Sequence, residues 1–163
     1  MNITIDTNVI HILIDKEHSD HKIFKLVINN LKKRKIIWVY GGSTYKSELS
    51  KICNESYQKF LKELSTGGAF LDLNKDREIN KKEKDCYSIK CKTSHFNDAH
   101  LIAIIIVGNS EILITMDKSS IKYVKDKKFY SNGFKIPIIL KDEKHLKNLN
   151  KYISKSKSKS KSK

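Results

Sequence analysis

The chain opens MNITIDTNVIHILID (Met1–Asp15), and the stretch that decides its reading is ITIDTN (Ile3–Asn8). Residues 2–5 have the β-branched character of a short buried strand. The strand runs straight into an acid, Asp6, and two small polar residues, Thr7 and Asn8, before an apolar stretch resumes at Val9. An acid at such a junction ordinarily caps a helix. It acquires a second meaning if other acids reach the same place, so the rest of the chain has to be read for them.

Working outward, short apolar runs alternate with helical patterns. Ile23, Phe24, Val27, Ile28 and Leu31 have helical spacing within 18–33. IIWV (36–39) reads as a second strand, broken by Gly41 and Gly42, with Ser43 or Thr44 capping a helix that runs to about Leu64. AFLDL (69–73) is a short strand or an extended link, and 77–91 a polar helix. An apolar helix over 98–108 ends at Gly108 and Asn109. EILITM (111–116) is a buried strand, 119–125 a short helix, KIPIIL (135–140) an edge strand that tolerates the only proline, and 142–153 a final helix. Strands separated by helices predict an α/β fold with a largely parallel sheet. We read residues 1–153 as one folded unit, long enough to bury a real core, and the Ser-Lys alternation 154–163 as a disordered basic tail.

Composition narrows the function classes. The net charge is +15, supplied almost wholly by lysine, and the five tail lysines account for five of those charges. Such an excess attracts polyanions, unless it is simply a well-solvated lysine surface. The first residues carry an acid and no basic leader region, and the longest apolar run, Leu101–Val107, is too short to cross a bilayer. We expect no secretory signal and no membrane association. Three cysteines, Cys53, Cys86 and Cys91, are an odd, sparse set and point to reduced thiols in a cytoplasm. Cys86, Cys91 and His95 do not have the spacing of a structural zinc site.

The acids now come into register. In open α/β sheets, sites gather outside the carboxyl ends of the strands. Asp6 ends the first strand and Asp117 follows ILITM in the same way. Glu48 lies about a turn into the helix after the second strand, and Asp98 opens the apolar helix. Singly, each reads as a cap, a turn residue or a solvated helix acid. Together, four acids beside an apolar core repel unless a cation neutralises them. Hard divalent cations prefer carboxylate oxygen. Paired ions about 4 Å apart generate a hydroxide nucleophile and stabilise the leaving oxygen of an in-line displacement at phosphorus. A basic surface around such a pocket would hold a polyanionic substrate.

Four stretches carry a resemblance. ITIDTNVI (3–10), GGSTYKSEL (41–49), NDAHLIA (97–103) and ILITMDKSS (112–120), in that order, are similar to the four acidic motifs of PIN-domain nucleases. The resemblance covers about residues 2–125. It implies a three-layer α/β/α sandwich with a central, mainly parallel sheet, and magnesium- or manganese-dependent hydrolysis of phosphodiesters in single-stranded or structured RNA. It also implies kinship with members that are toxins of toxin–antitoxin pairs, restrained by a small antitoxin protein, and with members that form homodimers. By resemblance, Asp6, Glu48, Asp98 and Asp117 are the catalytic, metal-binding acids. Asn8 helps hold the site, and Thr115 matches a small hydroxyl residue of the fourth motif. One branch carries Gly-Gly-x-x-Tyr before its glutamate and two aspartates before a histidine. Here Asn97 stands for the first aspartate, ahead of Asp98, Ala99 and His100. We read His100 as packed or substrate-facing, Thr7 as a brace at the strand-to-helix turn, Lys118 as a substrate contact, and Tyr45 as core packing or a base-stacking surface.

Other classes fit less well. A haloacid-dehalogenase-type enzyme needs a second Asp where Asn8 stands. A non-catalytic RNA- or nucleoprotein-binding module using only the basic surface is the alternative, although no aromatic-rich RNA-binding motif supports it.

Overall fold

The computed structural model describes residues 1–52, 54–90 and 96–160. Cys53, Cys91 and His95 lie outside the described residues. Five strands, β1 (Asn2–Ile5), β2 (Ile37–Tyr40), β3 (Phe70–Asp72), β4 (Ile112–Ile114) and β5 (Ile138–Leu140), form one sheet in the order β3-β2-β1-β4-β5, every pair parallel. The first strand is therefore the central one. The helices are α1 (Thr7–Ile14), α2 (His21–Lys32), α3 (Ser43–Ser50), α4 (Glu55–Thr66), α5 (Asp76–Ile89), α6 (Ala99–Gly108), α7 (Lys118–Val124), α8 (Glu143–Lys147) and α9 (Leu149–Ser160), with a 3-10 turn at Lys127–Phe129. The architecture is the expected three-layer α/β/α sandwich.

The strand order explains the layers. The chain steps outward from β1 to β3, then returns to β4 on the other side of β1. Right-handed crossovers put the helices of the outward leg on one face and those of the return leg on the other. Side chains follow this division. Leu113 packs with Cys86, Phe96, Ile102, Ile105, Tyr123 and Phe129, while its neighbours Ile112 and Ile114 pack with Val9, Phe24 and Leu31, as the two-residue period of a strand requires. Helix α6 is buried on nearly every side and belongs to both clusters, which is why it is apolar all round.

Some boundaries differ from the sequence reading. The long helix expected from Ser43 to Leu64 is two helices: Asn54 caps α4 by accepting from the Ser56 amide at 2.8 Å. Ile52 and Tyr57 fit one helical stripe, so periodicity alone hides the break. At the other end, α9 runs to Ser160, well past residue 153, where composition predicts a disordered tail. Buried Leu149 and Ile153 anchor its first turns, and the Ser156 hydroxyl reaches the Glu111 carboxylate at 2.9 and 3.2 Å. Pro137 lies just before β5, which is an edge strand. Among the described residues, no helix is long and apolar enough to cross a membrane.

Candidate active site

Because all strands are parallel, their carboxyl ends share one edge of the sheet. The order reverses between β1 and β4, and the crevice above such a switch point is where open α/β sheets bind ligands. Asp6 and Asp117 follow the two strands that flank it.

Asp6 is 6% exposed and sits at the N-cap of α1, accepting from the Asn8 amide at 3.3 Å. The capping reading is thus correct, but it engages only one oxygen. The other accepts from the Thr115 hydroxyl at 2.6 Å, and Thr115 Oγ1 in turn accepts from the Asp117 amide at 3.0 Å. One buried threonine therefore links both strand-end acids. Burial pushes the Asp6 carboxyl up, and the bonds from Thr115 and Asn8 only partly offset it. Asp117 caps α7, accepting from the amide and hydroxyl of Ser119 at 2.7 and 2.8 Å.

Glu48 is placed by the Gly-Gly turn. Gly42 has φ +80, and a Cβ there would lie 2.6 Å from Ile79 Cγ2, so only glycine lets α5 come this close. The close approach brings Asp76 Oδ1 to the Gly42 amide at 2.8 Å and Asn80 Oδ1 to the Ser43 amide at 2.9 Å, capping α3 from another helix. Six residues on, the Glu48 carboxylate faces the site. It accepts from the Thr7 hydroxyl at 2.8 Å and stands 3.5 Å from His100 Nε2. Burial works against its charge, but His100 and Thr7 outweigh burial and hold Glu48 below the usual range. His100 is 2% exposed, and neither ring nitrogen makes a hydrogen bond of good geometry. Burial alone would lower its pKa; Glu48, Asp98 and Glu83 raise it.

Asp98 stands at the N-cap of α6 yet makes no capping bond. Burial, then the charges of Asp6, Asp117 and Glu48 against that of His100, push its carboxyl up to about 6. Asp98 therefore feels the charge of each of the other three acids. Among the described residues, no group of three or more His, Cys, Asp or Glu side chains is already arranged to hold a metal ion. The donor set nevertheless suits a hard cation: two half-buried or buried carboxyls held above their ordinary range, two more beside them, and no thiol. Cys86 lies in the core, its thiol pushed up to about 11 by burial.

No family model, no curated protein and no solved structure matches this chain. The PIN resemblance thus rests on the four stretches themselves.

The remaining predicted residues divide. Thr7 and Thr115 brace acids through their hydroxyls. Asn8 does so only through its backbone, its side chain being exposed. Asn97 is exposed and gives its carbonyl to the Tyr87 hydroxyl at 2.8 Å; Lys118 is exposed at the start of α7. Tyr45 is fully buried. Its hydroxyl donates to the Ile5 carbonyl and accepts from Trp38 Nε1 at 3.2 Å, so it is a core tie and not a stacking surface. Sequence reading misses Glu83 of α5, which accepts from the Thr44 hydroxyl at 3.0 Å and whose charge reaches His100. Nothing in its polar surroundings marks it in the sequence.

Proposed function

We propose that this chain is a divalent-metal-dependent endoribonuclease of the PIN type. The observation that carries the reading is the pairing of Asp6 and Asp117 through Thr115 at the β1/β4 switch point, with Glu48 and Asp98 beside them. Asp6, Glu48, Asp98 and Asp117 would hold Mg2+ or Mn2+. Bound there, such ions supply Lewis-acid polarisation of a phosphodiester and activation of water. The protein's own part is to orient the carboxylates: Thr115 fixes Asp6, Thr7 fixes Glu48, and the α5 contacts fix the turn that carries α3. The net charge of +15 favours encounter with a polyanion.

The test is cleavage of a labelled RNA by the purified protein with Mn2+, with EDTA, and by Asp117→Asn. Metal-dependent cleavage lost in Asp117→Asn supports the reading. RNA bound but never cut supports the non-catalytic module instead. The narrower proposal, a toxin restrained by a small antitoxin protein, predicts growth arrest on expression that Asp117→Asn relieves; harmless expression of the wild type contradicts it.

A further inference from the structure

Two lysines meet on one aromatic ring. Lys90 Nζ stands 4.7 Å, and Lys122 Nζ 4.8 Å, from the centroid of the Tyr123 ring. The ring is fixed from beneath: Tyr123 is buried, its centroid 4.6 Å from that of Phe96. Both lysines are exposed, and neither forms a salt bridge within the described residues. Two ammonium groups held on one ring repel each other, and the ring's attraction for each is modest at an exposed site. A phosphate that contacts both ammonium groups would offset that repulsion.

Their place in the fold says which anion. Lys122 lies five residues after Asp117 along α7, about 7.5 Å along the helix axis at the usual rise. Lys90 ends α5 one turn after Tyr87, whose hydroxyl holds the carbonyl of Asn97, the residue before Asp98. Tyr123 packs on Phe96, two residues before Asp98, and Lys122 shares α7 with its cap Asp117, so the pair stands on the segments that carry these two acids. Lysine serves as a point-charge phosphate binder.

We propose that Lys90 and Lys122, converging on Tyr123, form a clamp for a backbone phosphate of single-stranded RNA and hold the strand across Asp98 and Asp117. The proposal rests on the nuclease reading for its substrate, but its test does not depend on cleavage. Binding of a fluorescent single-stranded RNA oligonucleotide is measured by anisotropy in EDTA over a series of salt concentrations. Lys90→Gln/Lys122→Gln should bind about tenfold more weakly, with the slope of log affinity against log salt reduced by roughly 1.4, about 0.7 per lost phosphate contact. Lys25→Gln/Lys62→Gln removes the same charge from exposed positions of α2 and α4 and should change affinity less than about twofold. Wild-type affinity and slope in the first variant, or equal weakening in the second, overturns the clamp. A protein that binds RNA through this pair but cuts none with Mn2+ upholds the clamp and overturns the nuclease reading. A wild type that binds no RNA overturns both.

Discussion

The Thr115 hydroxyl donates to Asp6 Oδ2 at 2.6 Å across the central strand pair, while its oxygen receives the Asp117 amide. Removing that hydroxyl leaves a buried carboxylate without its strongest partner. Thr115→Val should cost about 1–3 kcal/mol in urea unfolding and drive the Asp6 pKa further up. A variant as stable as the wild type would mean that the bond contributes nothing to the fold.

Asp98 makes the opposite prediction. Its folded pKa of about 6 lies above the ordinary 3.8, so the folded state binds the proton more tightly than the unfolded chain. In EDTA, the stability this group contributes is highest below about pH 4 and falls as pH rises to about 6. Asp98→Asn removes the penalty. Allowing for the group's partial exposure, the variant should gain about 1 kcal/mol at pH 7, some 2–4 °C in Tm, and nothing near pH 4. Equal melting temperatures at pH 7 would contradict the electrostatic account of the crevice.

Tyr45 distinguishes packing from nucleic-acid stacking. Tyr45→Phe strands the Trp38 indole N–H and the Ile5 carbonyl in the core, so it should destabilise by about 1–3 kcal/mol while leaving RNA affinity unchanged. Weaker RNA binding at unchanged stability would restore the stacking role.

Gly42→Ala tests the placement of Glu48. With φ +80 and Ile79 Cγ2 2.6 Å from the added methyl, the substitution strains the turn and forces α5 away, at a cost of about 2 kcal/mol or more in thermal or urea unfolding. A neutral substitution would mean that the close approach of α5 is not what fixes the turn.

How much of this was legible in the sequence depends on the range of the signal. The strand at Asn2–Ile5 and its acid were readable because apolar content, strand length and turn chemistry are local. Parallel pairing followed from the alternation of strands and helices, which also placed the strand ends together. The break between α3 and α4 was not readable, because one apolar stripe runs through it and only the Asn54 cap marks it. The caps that Asp76 and Asn80 provide to α3 were also hidden: their partners lie more than thirty residues away, on a helix with no motif of its own. The same holds for Glu83. His100 showed its burial by sitting in an apolar helix, but its contact with Glu48 needs the fold. The helix through Ser160 was missed because composition carries no record of Leu149 and Ile153 anchoring it.

The most direct measurement is RNA cleavage by the wild type and Asp6→Asn, each with Mn2+ and with EDTA. The four-acid account predicts cleavage by the wild type in Mn2+ only, and a loss of at least about 100-fold in Asp6→Asn. Cleavage that survives EDTA, or that Asp6→Asn retains in full, would contradict it.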